Sequence, residues 1–310
     1  MVNWTAQDIP DQSGRTVLIT GANSGLGLRS AQLLAEHNAR VLLACRSAER
    51  GKAALATMPG GNTELIELDL ADLSAVRRAA DEVRERTGDQ LDVLINNAGV
   101  MFTPRRQTAD GFELQYGTNY LGHVALTWRL MPALRGRPGA RIVTLSSLLA
   151  HAGRINLADP NYQHRRYTSV TAYGQSKLAN QLFAAELDRR LRAAGQDTLS
   201  MAAHPGYTGT NLGANSARSW SGALGAAMAT IYQLGNQLIS QSVDGGVLPM
   251  LYAATAPDVR GGAYYGPSGF QQMYGMPREV PLLAAARNPV LLDELWSRTA
   301  ELTGVAPDPA

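Results

Sequence analysis

The apolar run Thr16-Val17-Leu18-Ile19 passes directly into Thr20-Gly21-Ala22-Asn23-Ser24-Gly25-Leu26-Gly27, and no other stretch restricts the chain as tightly. The run is aliphatic and β-branched, the composition of a buried strand. Beyond it Leu26, Ser30, Leu33 and Leu34 recur at helical spacing, which predicts a helix over Leu26–Ala35. Strand, glycine turn and helix are the setting a dinucleotide needs. Glycines let the backbone approach a pyrophosphate, and the free N–H groups of a helix start attract its charge. The spacing is G-x-x-x-G-x-G, not the commoner G-x-G-x-x-G, and an ordinary turn would also satisfy it.

Downstream, the same alternation repeats. Ala39–Cys45 is near-continuously apolar, as a strand covered on both faces should be. Strands are expected over Glu64–Leu70, Leu91–Ile95, Ala140–Leu145 and Leu199–Ala203. Helices are expected over Ser47–Thr57, Ser74–Thr87, much of Phe112–Leu134, Ala172–Ala194 and Asp293–Leu302, with an irregular His151–Thr171. Without a linker, this predicts an α/β fold in a single domain over 1–310, one doubly wound parallel sheet with helices on both faces. Residues 207–280 would form the substrate side, with one or two helices within Gly213–Gly246. In such sheets ligands lie at the carboxyl ends of the strands. Thr20–Gly27, Asp69, Asn96–Gly99, Ser146-Ser147 and Pro205-Gly206 all fall there.

Lys plus Arg number 28 against 26 Asp plus Glu, a formal charge of +2 that gives no reason to expect nucleic acid. The single cysteine, Cys45, excludes an internal disulfide and fits a reducing compartment. No leader pattern and no bilayer-length apolar run is visible, so a cytoplasmic protein without a transmembrane segment is expected. No His/Cys/Asp grouping has metal spacing. His123 and His204 read as core residues, and His164-Arg165-Arg166 as a solvated patch.

Tyr173 and Lys177 stand four apart in a predicted helix, so they share a face. A lysine ammonium favours phenolate and draws a tyrosine pKa down from about 10 toward neutrality. Such a phenol can protonate a carbonyl oxygen or deprotonate an alcohol; a packing pair on a surface helix is the plain alternative. Ser147, ending the fifth strand, offers a hydroxyl to the same oxygen, as strand-end serines often do without function. Asn119 lies inside a helix, where asparagine is a poor former unless it is simply solvated.

Together these stretches resemble the short-chain dehydrogenase/reductase superfamily, in the correct order from Arg15 to Leu212. Thr20–Gly27 is similar to its cofactor loop, Asn96-Asn97-Ala98-Gly99 to its sheet-stabilising motif, and Tyr173…Lys177 to its Y-x-x-x-K pair. Gly117-Thr118-Asn119-Tyr120-Leu121-Gly122-His123 and Leu43-Ala44-Cys45-Arg46-Ser47 resemble the branch holding retinol dehydrogenases and protochlorophyllide-reductase-like proteins. The segment between Ser147 and Tyr173 is longer than in the commonest form.

The resemblance implies that Tyr173 is the general acid/base and that Lys177 lowers its pKa and holds the nicotinamide ribose. Ser147 would polarise the carbonyl, with Ser146 as the neighbouring alternative, and Asn119 would support a water path to Lys177. Gly21, Asn23, Ser24, Gly25, Leu26 and Gly27 would hold the cofactor. Asp69 and Leu70 would meet the adenine, Asn97, Ala98 and Gly99 the adenosine ribose region, and Pro205, Gly206 and Thr210 the nicotinamide side. An NAD enzyme usually places an acid about 20 residues past the glycine loop; here no acid follows the second strand until Glu49, and Arg46 occupies the position. Arg46 either pairs with a 2′-phosphate or is a solvated helix opener, and the expected cofactor is NADP(H). Met101, Phe102, Leu148, Leu149 and Tyr207 suggest an apolar pocket, hence a small lipophilic carbonyl or alcohol. The leading expectation is an NADP(H)-dependent oxidoreductase. A catalytically silent redox sensor, or an epimerase or ring reductase using the same pair, are the alternatives. Family members pair through the two long helices, so a homodimer or homotetramer is open, although the insertion stands in the way.

Overall fold

The strand β1 (Thr16–Thr20) is buried at every position and lies between β2 (Arg40–Cys45) and β4 (Val93–Asn96), both parallel to it. The computed structural model describes residues 3–208 and 241–309. Beyond these central strands lie β3 (Thr63–Glu67), β5 (Arg141–Leu145), β6 (Leu199–Ala203), β7 (Tyr264–Pro267) and β8 (Pro277–Val280). The order is β3-β2-β1-β4-β5-β6-β7-β8, so the winding reverses between β1 and β4. Side chains alternate across the sheet: Leu18, Leu42, Leu94 and Ile142 enter one core, and Val17, Ile19, Val41, Leu43, Val93 and Ile95 the other. Helices cover both faces, as a parallel sheet requires: α1 (Gly25–Glu36), α2 (Ala48–Leu55), α3 (Leu73–Thr87), α4 (Leu114–Tyr116), α5 (Gly122–Leu134), α6 (Ser169–Ala193), α7 (Val243–Thr255) and α8 (Pro289–Thr303).

Several expectations need correcting. The sheet is parallel except at its edge, where β8 runs antiparallel to β7. Both strands went unpredicted because Gly266, Pro267 and Pro277 obscure any alternation, with the prolines at the end of β7 and the start of the edge strand β8. The third strand stops at Glu67, since Asp69 Oδ1 accepts Ala71 N at 2.9 Å and turns the chain. The closing helix begins at Pro289, capped by Asn288 Oδ1, which accepts Val290 N and Leu291 N. The expected helix within Phe112–Leu134 is α4, a π turn over Gly117–Leu121, and then α5. A Cβ on Gly117 would lie 2.4 Å from Thr108 Cγ2, and one on Gly122 would lie 2.4 Å from the Leu70 carbonyl, so the chain crosses both neighbours at backbone range. The segment expected within Gly213–Gly246 lies outside the described residues, except for the start of α7.

α8 closes over α5 and α6. Trp296 stacks on Phe183 at 5.8 Å between centroids and meets Trp128 edge-on at 4.9 Å. The Thr299 and Tyr120 hydroxyls are 2.6 Å apart. No described helix is long and apolar enough to cross a membrane.

Candidate active site

Each glycine of the first loop has its own geometric reason. Gly21 has a φ of 68°, and a Cβ there would lie 2.9 Å from Ala98 Cα. Gly25 has a φ of 55°. A Cβ on Gly27 would sit 2.4 Å from the Gly21 carbonyl oxygen and 2.5 Å from Asn97 Nδ2. The loop therefore lies flat against Asn97-Ala98 at the switch point, with Asn23, Ser24, Gly25 and Leu26 half-buried at the N-terminus of α1. This bare cradle of backbone and free N–H groups fits a dinucleotide pyrophosphate.

The two asparagines of the fourth strand end are both structural struts. Asn96 Nδ2 donates to Thr127 Oγ1 and Thr144 Oγ1, and Asn97 Nδ2 donates to the Thr20 carbonyl at 2.7 Å. Thr20 Oγ1 accepts Asn97 N and Ala98 N, each at 2.9 Å, and lies 2.9 Å from His123 Nε2. His123 Nδ1 faces the Asn119 carbonyl at 2.9 Å, so that nitrogen carries the proton and Nε2 accepts from Thr20. The predicted core role of His123 thus has a specific form.

Asn119 is fully buried in the π turn. Its Oδ1 accepts Val100 N at 2.8 Å, while Nδ2 donates to the Val100 carbonyl and to Ser176 Oγ, each at 2.9 Å. A Cβ on Gly99 would lie 3.2 Å from Asn119 Oδ1 and 3.6 Å from Lys177 Nζ. Gly99, Asn119 and Lys177 therefore meet at one place. Lys177 is 4% exposed, donates to the Leu145 carbonyl at 3.0 Å, and enters no ion pair among the described residues. Burial pushes its pKa down to about 8. Tyr173, also 4% exposed, holds its ring centroid 5.9 Å from that ammonium, with Phe102 edge-on at 5.7 Å on the ring.

The two adjacent serines differ in burial. Ser146 is buried and its hydroxyl donates to the Lys177 carbonyl at 2.8 Å; Ser147 is half-buried and its Oγ accepts Leu149 N. The turn that follows, Leu148–Ala152, rests on α6 where a Cβ on Gly174 would lie 2.8 Å from both Gly153 N and the Leu149 carbonyl. Glycine beside Tyr173 is what lets the Ser147 loop come this close.

At the ends of β2 and β3, Arg46 is exposed and Asp69 half-buried, whereas Leu70 is buried in the core and can offer a ligand only its backbone. At the end of β6, Gly206 has a φ of 67°, and a Cβ there would lie 2.4 Å from the Met273 carbonyl. His204 Nδ1 accepts Gly206 N at 3.2 Å and Nε2 donates to Gln272 Oε1 at 2.9 Å, fixing the Pro205-Gly206 turn. Thr210 lies outside the described residues. Gln115, Tyr167 and Gln272, all hydrogen-bonded near the site, carried no sequence signal. Arg165 is not simply solvated: it lies 3.6 Å over the Tyr162 ring and donates to the Asp159 carbonyl.

A switch-point cradle beside a buried tyrosine–lysine pair marks the class of dinucleotide-dependent α/β oxidoreductases. The chain belongs to the short-chain dehydrogenase/reductase family, whose short chain dehydrogenase profile matches residues 15–220, and to its retinol dehydrogenase-like branch. It is 36% identical over 298 residues to retinol dehydrogenase 13 of Homo sapiens, covering 94% of this chain and 85% of that protein. To polyprenol dehydrogenase of Mus musculus it is 36% identical over 307 residues, covering 96% and 86%. The solved structure of an uncharacterized protein from Mycobacterium paratuberculosis, 43% identical, matches with a TM-score of 0.79 over 98% of both chains. Membership implies an oxidoreductase using a nicotinamide dinucleotide and a small-molecule substrate.

Burial pushes the pKa of His123 down to about 3 and that of His204 to about 4, so both are neutral in the fold. An unfolded histidine titrates near 6.5. Below that pH the unfolded chain binds protons that the folded chain does not, and stability falls as pH falls. The two together should remove roughly 3–4 kcal/mol between pH 7 and pH 5. Urea midpoints across that range check this, and a flat profile would count against the two buried neutral rings.

Proposed function

We propose that this chain is an NADP(H)-dependent oxidoreductase of lipophilic carbonyls and alcohols in which Tyr173 is the general acid/base. The observation that carries the reading is the buried Lys177 ammonium beside the Tyr173 ring, with no acid paired to it among the described residues. A cation so placed favours the phenolate, which suits the tyrosine to proton exchange with a substrate oxygen near neutral pH. Ser147 hydrogen-bonds and polarises that oxygen. Asn119 keeps Val100 and Ser176 in place around the lysine, on the side where a water path would reach it. Gly21 through Gly27 hold the pyrophosphate, Asp69 and the Leu70 backbone the adenine, Asn97, Ala98, Gly99 and Lys177 the riboses, and Pro205 and Gly206 the nicotinamide. The cofactor, when bound, supplies or accepts hydride.

The substrate class is supported by the half-buried apolar side chains Met101, Phe102, Leu148, Leu149 and Tyr207. Relatives named for retinol and polyprenol, both lipophilic alcohols, point the same way. The reducing, cytoplasmic placement rests on Cys45, a buried free thiol whose pKa burial raises.

Tyr173→Phe should lower kcat by about 10²-fold or more while leaving NADPH affinity largely intact, because the phenol acts on the reacting oxygen. NADPH oxidation with all-trans-retinal and a panel of aldehydes and ketones, beside a fluorescence titration, separates the two effects. A variant keeping half the wild-type rate would remove Tyr173 from the chemistry.

NADP preference rests on Arg46, exposed where an NAD enzyme would carry an acid. Arg40, by contrast, is committed to Glu64 at 2.6 Å. A charge-assisted contact to the 2′-phosphate is worth roughly 1.5–3 kcal/mol, so Arg46→Ala should shrink the NADPH-over-NADH ratio of kcat/KM by about tenfold or more. A wild type indifferent between the cofactors would overturn the preference.

For the assembly, we favour a monomer over the homodimer or homotetramer that the resemblance allows. α5 and α6 are buried along nearly their whole length within one chain, with Trp296 seated between Trp128 and Phe183. Light scattering at micromolar concentration should give the 33.1 kDa mass of one chain; twice or four times that mass would restore the pairing.

A further inference from the structure

Phe102 has a backbone φ of 53°, in the left-handed region that bulky side chains rarely enter. Strain of that kind persists only where the surroundings over-determine it, and it gathers at functional sites. Two side chains pin this turn. Gln115 Oε1 accepts Phe102 N at 2.8 Å, and the Tyr167 hydroxyl donates to the carbonyl of the next residue, Thr103, at 2.8 Å. The pins are joined to each other, since Gln115 Nε2 donates to the Tyr167 oxygen and to the Ser169 carbonyl, each at 3.0 Å. Gln115 is fully buried, and Glu113 below it caps α4 by accepting Gln115 N and Tyr116 N.

Tyr167 lies in the segment between Ser147 and α6, 52 residues beyond Gln115. The result of the strain is visible at the catalytic pair. The Phe102 ring meets the Tyr173 ring edge-on at 5.7 Å with an interplanar angle of 68°. Phe102 is half-buried while Tyr173 is 4% exposed, so the phenyl ring is the more accessible of the two rings in contact.

We infer that the segment after Ser147 sets specificity at a distance: Tyr167 and Gln115 are positioning residues that hold Phe102 against Tyr173, and the space Phe102 leaves decides which carbonyls reach the phenol. The inference rests on the reading of Tyr173 as acid/base. A carbonyl with bulk next to the reacting carbon would collide with Phe102, and an unbranched aldehyde would pass. A turn needing only to reverse the chain would accept glycine or asparagine here without a buried glutamine and a half-buried tyrosine to pin it.

The test uses the full chain with NADPH and two probe aldehydes, hexanal and 2,2-dimethylpropanal. Phe102→Ala should raise the ratio of kcat/KM for the branched over the linear aldehyde by about tenfold or more, the usual range for added room in an apolar pocket. Tyr167→Phe should move the ratio in the same direction, chiefly through KM. In the Phe102→Ala background it should have no further effect, because it acts through that ring. Gln115→Met removes the other pin and serves if Tyr167→Phe fails to fold. NADPH titration should be unchanged in all of them. An unchanged ratio in Phe102→Ala, or additive effects in the double variant, would overturn the inference. A second arm does not use turnover: in a crystal structure of Tyr167→Phe, Phe102 should leave the left-handed region and lose its contact with Tyr173. Retention of both overturns the inference by itself, whereas a wild type that reduces neither aldehyde, nor any other carbonyl of the panel, overturns the parent reading.

Discussion

The Thr20 hydroxyl is the point on which the site geometry depends. It accepts the N–H groups of Asn97 and Ala98 and, with its own proton, reaches His123 Nε2, whose other nitrogen donates to the Asn119 carbonyl. One side chain thus fixes the ends of β1 and β4 relative to each other and relative to the π turn. The relay works only with a neutral imidazole, since a second ring proton would face the Thr20 hydroxyl and cost it its acceptor. Burial in a low-dielectric interior keeps the ring neutral and strengthens each link of the chain. The glycine loop after β1 and the π turn that carries Asn119 are therefore joined through one chain of hydrogen bonds.

Lys177 shows the opposite use of the same burial. Its ammonium donates to the Leu145 carbonyl and lies beside the Tyr173 ring, and burial draws its pKa down to about 8 with no carboxylate paired to it among the described residues. A lysine paired with an acid would be better stabilised and would have less field to lend a neighbour. The polar struts around it, Asn180 on the same carbonyl and Ser146 on the lysine's own backbone, orient the helix without adding charge. The arrangement gives up stability at one point and leaves a buried ammonium, without an ion pair among the described residues, 5.9 Å from the Tyr173 ring centroid.

Much of the fold was legible because a doubly wound sheet writes itself in period. β6 lies at the predicted Leu199–Ala203, and β1, β2, β4 and β5 fall within two residues of the apolar runs that announced them. What sequence reasoning lost shares one cause: local structure imposed by a distant partner. The π turn depends on Thr108 and Leu70 pressing on two glycines, and β7 is a strand only because β6 and β8 flank it. Helix α7, with Gly245-Gly246 at its start and Pro249 inside, is held by burial between β5 and β7 rather than by propensity.

The same division runs through the site itself. Its glycine loop is built from backbone held at short range, and such contact demands glycine, which is visible in any sequence at fixed spacing. Gly21, Gly27 and Gly99 could be named before their neighbours were known. The rest of the region is built from side chains meeting across long separations, His204 with Gln272 and Gln115 with Tyr167, and glutamine has no pattern that betrays its partner. Backbone contact admits one residue type, whereas a hydrogen bond between side chains can be met by many pairs. A fold that keeps its cofactor while changing its substrates would be expected to place its constraints this way. A backbone cradle admits no added side chain, whereas side-chain contacts are free to be rebuilt, as where Tyr167 reaches back to the turn beside Tyr173.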